Sequence, residues 1–173
     1  LTGITPALSE GCCQALARLT GEARARGVPF SFDLNYRRKL WSPAAARKAL
    51  PMIARGTALL FAGASDAAEV FGFSGDPEQV IASLRETFEA QQVVLTVGAE
   101  GVVAWDGRDI RRHSAQDTAV IDRIGAGDAL AAGVIHGWLD GDFTAGLRYG
   151  QALAALALRT DGDIVVVTPD ELD

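Results

Sequence analysis

The residues best suited to chemistry lie in Asp122-Arg123-Ile124-Gly125-Ala126-Gly127-Asp128, a glycine-rich turn that opens a helical pattern. The first residues of a helix leave backbone N–H groups without partners, and the helix dipole adds partial positive charge there. Gly125 and Gly127 carry no side chain that would keep an anion from those donors. Asp128, in the same turn, is a carboxylate able to take a proton from an attacking hydroxyl. Donors aimed at developing charge, beside a proton acceptor, suit phosphoryl transfer. One such donor is worth about 3 kcal/mol in a transition state. A plainer reading stays open, in which the two glycines permit tight helix packing and Asp128 merely complements the dipole.

Two other groups of residues invite a ligand. In Thr96-Val97-Gly98-Ala99-Glu100-Gly101 a pair of glycines lets a loop pass close to a bound molecule, or simply makes a turn. Asp33-Leu34-Asn35-Tyr36-Arg37-Arg38-Lys39-Leu40-Trp41 ends a strand-like run. Arg37 there offers a planar fork for carboxylate or phosphate, and Asn35 offers both donors and an acceptor. The alternative is a solvated basic loop with Trp41 as a packing anchor. His113 and His136 have no evident nucleophile partner, so neither is given a chemical role. No G-x-x-x-x-G-K-[ST] is present, which excludes a P-loop, and no H-E-x-x-H or cysteine cluster offers a zinc site.

These groups need elements to hold them. Ser9 can cap a helix to about Arg26, closed by Gly27, and Val28 to Phe32 reads as a buried strand. Ser42-Pro43 and Asp76-Pro77 each pair a cap with a proline at the first helical position, for helices to about Arg55 and Gln91. Thr57 to Ala62 and Gln92 to Val97 are apolar strands, and Gly101 to Trp105 with Ile110 to His113 form a hairpin turned at Asp106-Gly107. Ala126 to Leu139 and Phe143 to Leu158 are rich in alanine and leucine around most of their circumference. Both helices are therefore expected to be largely buried, His136 with the first. Gly133 and Gly137 point to close approach of another element. Ile164 to Val167 reads as a last short strand. Strands alternating with helices predict an α/β fold, a mostly parallel sheet with helices on both faces plus a small β-hairpin. Ligands of such sheets sit at the carboxyl ends of the strands, which assigns Asp33, Asn35, Arg37, Gly98 and the Gly125 turn to one rim.

The bulk composition narrows the partners. With 173 residues and 49% apolar content the chain can fill a core, and 16 Lys and Arg against 22 Asp and Glu leave a net charge of −6. That balance argues against DNA or RNA, though a helix N-terminus still attracts a small anion. Cys12 and Cys13 are adjacent and have no other cysteine to pair with. No apolar run approaches about 18 residues, so a membrane partner is not expected and the location expected is the cytoplasm. The chain opens on Leu1-Thr2-Gly3-Ile4 and reads as though it begins inside a domain.

D-x-x-G-A-G-D before an alanine-rich helix resembles the signature of the ribokinase-like (PfkB-type) carbohydrate kinases. The resemblance implies an ATP-dependent sugar kinase in which Gly125, Ala126 and Gly127 form the anion hole and Asp128 is both catalytic base and substrate contact. Thr96, Gly98 and Gly101 match the family's T-x-G-x-x-G, the loop bordering the ATP phosphates and ribose. Gln151 falls near an adenine-side asparagine, or is a surface polar residue. The family's N-x-x-E, which serves the Mg2+–phosphate network, is altered: Gly63 stands at the asparagine and Asp66 at the glutamate. Asp66 is thus open between organising magnesium and capping a helix.

D-x-N-x-R followed by L-W, together with Arg123, is similar to the subgroup that phosphorylates the 6-hydroxyl of 2-keto-3-deoxygluconate. It implies substrate contacts from Asn35 and Arg37. Thr160-Asp161-Gly162-Asp163 resembles that subgroup's closing P-G-D, with Asp161 in place of proline, and implies a substrate contact from Asp163. A fructokinase or ribokinase acting on a neutral sugar, and a non-catalytic sugar- or nucleotide-binding module, are the rival readings. The resemblance covers residues 1–173 as the family's C-terminal, nucleotide-binding and catalytic portion, without the lid-bearing N-terminal half. The segment alone is therefore expected to be inactive, and any homo-oligomer is expected to pair through that lid.

Overall fold

The computed structural model describes residues 1–115, 118–162 and 164–168. They form two compact units, Leu1–Gly98 with Val102–Arg112, and Ala99–Gly101 with the residues from His113 onward.

The first unit is built on a five-stranded sheet in the order β1 (Ser31–Asp33), β2 (Leu59–Gly63), β3 (Gln92–Thr96), β4 (Val102–Trp105) and β5 (Ile110–His113). The first three strands are parallel, with Phe32 opposite Leu60 and Leu60 opposite Val93. β4 runs antiparallel to β3 and begins the hairpin. Asp106 closes its turn: one carboxylate oxygen accepts the N–H groups of Arg108 at 2.8 Å and Asp109 at 2.6 Å, the other Arg111 Nε at 2.8 Å. α1 (Ile4–Leu8) and α2 (Glu10–Ala25) precede β1, α3 (Pro43–Ala54) joins β1 to β2, and α4 (Ala64–Phe71) and α5 (Pro77–Phe88) join β2 to β3.

The helix starts follow their caps. Ser9, Ser42 and Asp76 accept the N–H groups of Cys12, Ala45 and Glu78. Alternation along the strands sends Phe32, Leu60, Val93 and Leu95 into a core shared with Leu50 and Ile53 of α3 and Ile81, Leu84 and Phe88 of α5. Each such side chain contributes about 1.5–3 kcal/mol of burial. Leu59, Phe61 and Val94, on the opposite sheet face, are buried as well.

β1 begins three residues later than the sequence suggests. The Val28 N–H is spent on the end of α2, bonding to the Ala23 carbonyl at 2.8 Å, and Pro29 has no N–H to offer a ladder. α1 and α4 were not anticipated. α4 follows β2 with no loop and no capping side chain, and its only punctuation is Gly72 at φ 76° beyond its last residue.

The second unit is organised by α6 (Ala126–Leu139) and α7 (Phe143–Leu158), whose bounds agree with the sequence reading. Their contact is backbone to backbone. A Cβ on Gly133 would lie 2.3 Å from the Gly150 nitrogen, and one on Gly137 would lie 2.3 Å from the Gly146 Cα. The burial of α6 is narrower than expected. Its buried residues are Leu130, Gly133, Val134 and Gly137, while Leu139 is exposed and the His136 side chain is 62% accessible, so His136 is not in a core. The glycine stripe concentrates the packing on one face. Residues 164–168 form no strand, and Ile164 and Val166 are exposed. β-branched residues favour a strand only where a ladder receives them. Among the described residues no helix is long and apolar enough to cross a membrane.

Candidate functional site

In the second unit the lead-in to the glycine turn is tied to the end of α7, because the Leu158 carbonyl accepts the N–H groups of Ile121 at 2.7 Å and Asp122 at 3.3 Å. Asp122 then folds the chain by accepting the Ile124 N–H at 3.0 Å. Gly125 is the N-cap of α6 at φ 81°, a left-handed conformation that a side chain would strain. Its carbonyl accepts the Ala129 N–H at 2.8 Å and so starts the helix. The N–H groups of Ala126, Gly127 and Asp128 precede that bond and find no acceptor among the described residues.

Gly127 bears on the packing reading of this turn. A Cβ built on it meets nothing within 4 Å, and its φ is not in the left-handed region. Neither packing nor backbone geometry within the described residues calls for glycine there, unlike at Gly133 and Gly137. Asp128 is exposed and its side chain makes no hydrogen bond or ion pair among the described residues. Three unpaired donors and an uncommitted carboxylate thus share one open helix start.

The loop after β3 divides in the same way. Gly98, at φ 65°, has open space where a Cβ would point. At Gly101, φ 102°, a Cβ would lie 2.2 Å from the His113 carbonyl oxygen and 2.4 Å from the Ala115 nitrogen, so glycine is required by the passing backbone. Gln151 holds that same backbone, its Nε2 donating to the carbonyls of His113 at 3.1 Å and Ser114 at 3.0 Å. It is a clamp rather than a loose surface polar residue. Thr96 ends β3. Asp163 lies outside the described residues.

In the first unit, Asp33 ends β1 and accepts the Asn35 N–H at 3.1 Å. Asn35 takes φ 36°, a conformation that asparagine tolerates better than most residues. Tyr36 is buried, its hydroxyl donating to the Trp41 carbonyl at 2.9 Å, and Arg37 is exposed. Trp41 packs against the core, as an anchor would. The Tyr36 N–H donates at 3.0 Å to Asp66 Oδ2, which joins this loop to α4. Asp66 is therefore not a helix cap. The cap position is Gly63, and Asp66 sits in the first turn of the helix. Burial pushes the Asp66 carboxyl above the ordinary carboxylate range, against the Tyr36 N–H, the Arg37 charge and the Ser65 hydroxyl, which pull it down. A Cβ on Gly63 would touch the Ser65 hydroxyl at 3.5 Å, the Thr96 hydroxyl at 3.7 Å and the Asp66 carboxyl carbon at 3.9 Å. The carboxyl ends of β2 and β3 therefore carry a small polar cluster. Sequence reasoning missed Tyr36, Ser65 and the link across 30 residues to Asp66. No local signal announces such a contact.

The chain matches the pfkB family of carbohydrate kinases over residues 1–170. It is 36% identical over 173 residues to the 2-dehydro-3-deoxygalactonokinase of Haloferax volcanii, covering 99% of this chain and 54% of that protein. It is 37% identical over 166 residues to the 2-dehydro-3-deoxygluconokinase of Thermoproteus tenax, covering 94% of this chain and 49% of that protein. Among solved structures, a PfkB protein from Polaromonas sp. JS666 superposes with a TM-score of 0.81 at 30% identity, over 92% of this chain and 52% of that one. The chain spans about half the length of the curated relatives it matches.

Proposed function

The chain belongs to the pfkB family of carbohydrate kinases, with a ribokinase-like fold, and from that premise we propose that it carries the catalytic portion of an ATP-dependent sugar-acid kinase. The observation that supports this reading furthest is the open, donor-rich start of α6 at Gly127, beside the uncommitted carboxylate of Asp128.

The roles follow from the chemistry. Asp128 takes the proton of the attacking sugar hydroxyl. The N–H groups of Ala126, Gly127 and Asp128, with the Gly125 turn that exposes them, hold the charge that builds on the phosphoryl group in transit. Thr96, Gly98 and Gly101 belong to the nucleotide side, and Gln151 fixes the backbone beside Gly101 for it. Asn35 and Arg37 grip the substrate, the guanidinium meeting a carboxylate two-pronged. Asp163 remains a proposed substrate contact.

Magnesium accompanies ATP on its phosphates and supplies charge neutralisation there when bound. Asp66 does not fit a ligand for it. One of its carboxylate oxygens already accepts the Tyr36 N–H, and the group feels the Arg37 charge. Among the described residues no cluster of three His, Cys, Asp or Glu side chains could hold an ion. No step here is routed through the metal.

The proposed acceptor is the 6-hydroxyl of 2-keto-3-deoxygluconate or its C4 epimer, since the two relatives above carry those substrates in their names. Steady-state kinetics of the full-length gene product tests this. The kcat/KM for either ketodeoxy acid is expected to exceed that for fructose by at least about 10²-fold, the order expected when a site built to bond a polar group meets a substrate that lacks it. A preference for fructose removes the sugar-acid assignment.

A further inference from the structure

We propose that Asp66 is a positioning residue for Arg37: as part of a clamp on α4, it holds the loop after β1 so that the Arg37 guanidinium faces ligand. The inference rests on the kinase reading for the identity of that ligand, and on geometry alone for the clamp.

Two consecutive backbone N–H groups in this loop end on carboxylates. That of Asn35 reaches Asp33 at 3.1 Å, and that of Tyr36 reaches Asp66 Oδ2 at 3.0 Å. Between them Asn35 takes φ 36°, the left-handed backbone that asparagine accepts and that turns the chain between the two bonds. Glu69, one helical turn beyond Asp66 and so on the same face of α4, accepts from Arg38 Nε at 2.8 Å. α4 thus grips the loop on either side of Arg37.

The Arg37 side chain makes no hydrogen bond or ion pair among the described residues, while its carbonyl accepts the Leu40 N–H at 2.9 Å. Its guanidinium feels the Asp66 charge without being spent on it. The two grips differ in weight. Arg38 is 78% exposed, and such a pair contributes little. The Tyr36 N–H, on a buried residue, is costly to leave without an acceptor. Asp66 is therefore the dominant half of the clamp. Tyr36 is also pinned at its far end by the hydroxyl bond to Trp41, which leaves the loop little freedom to compensate.

The test compares Asp66→Ala with Asp66→Asn in the full-length protein, because the asparagine carbonyl can still accept the Tyr36 N–H. Asp66→Ala is expected to raise the KM for the sugar acid about tenfold, with the KM for ATP and the Mg2+ concentration at half-maximal rate unchanged. Asp66→Asn is expected to return the sugar KM to within about threefold of the parent. Hydrogen exchange gives a readout independent of activity: the Tyr36 amide should be protected in the parent and in Asp66→Asn, and exposed in Asp66→Ala. An unchanged Tyr36 amide in Asp66→Ala overturns the proposal. So does a rise in the Mg2+ requirement of equal size in both variants, which would mark Asp66 as serving the metal. If the parent phosphorylates no sugar while the exchange pattern holds, the kinase reading fails and the clamp stands.

Discussion

Replacing Gly127 by alanine is expected to leave the protein at least as stable as the parent while lowering kcat by about 10²–10³-fold. The two halves of that result have separate causes. Alanine restricts the unfolded chain more than glycine does, and a compatible Gly→Ala change typically adds about 0.4–1 kcal/mol. At Gly127 the added methyl meets no protein atom within 4 Å and no left-handed backbone. In the proposed site, that methyl crowds the anion that the unpaired N–H groups at the start of α6 receive. A phosphoryl group held there loses its close approach, and donors preorganised for developing charge lose their effect. The measurement pairs a thermal melt with kcat for the full-length protein. A variant that melts lower, or one that keeps full activity, contradicts the assignment of this corner.

Asp128→Asn should cost about 10²–10⁴-fold in kcat, the range in which a positioned general base contributes. Asparagine has nearly the same shape, so nucleotide affinity should stay within a few-fold of the parent. Stability should fall by less than about 1 kcal/mol, the worth of one charge near a helix N-terminus. No hydrogen bond or ion pair among the described residues is lost with the carboxylate, so the kinetic effect has no structural explanation to compete with. Kinetics and calorimetric ATP titration on the same preparation separate the possibilities. Unchanged turnover would remove Asp128 as the base and leave the binding-module reading to be judged on ATP affinity. Lost turnover with intact ATP affinity removes it.

The parts of the fold that were legible in the sequence are those written in neighbouring residues. Ser9, Ser42 and Asp76 announce helix starts because a short polar side chain satisfies an N–H two or three residues on. Alanine-rich composition marked α6 and α7 to the residue, and Gly133 and Gly137 advertised their close partner. The missed features depend on distant residues. α4 has no capping side chain to betray it, and the Asp66–Tyr36 bond spans 30 residues. Ile164 to Val167 has strand propensity without a ladder to join.

The glycines teach the sharpest lesson. In the sequence, Gly98, Gly101 and Gly127 are alike. Only three-dimensional neighbours divide them into a glycine required by passing backbone, Gly101, and glycines facing open space, Gly98 and Gly127. Asp66 makes a related point. Spacing alone offered it as a metal contact or a cap; the cap position is Gly63, and the partner that Asp66 takes is the Tyr36 N–H of a distant loop.

The most direct measurement follows the backbone amides of Ala126, Gly127 and Asp128 by NMR, in the full-length protein, as a nonhydrolysable ATP analogue and the sugar acid are added. The account predicts that all three resonances shift and that their hydrogen exchange slows, because donors left open by the helix start acquire an acceptor. Saturating nucleotide binding with those three amides unmoved would contradict it.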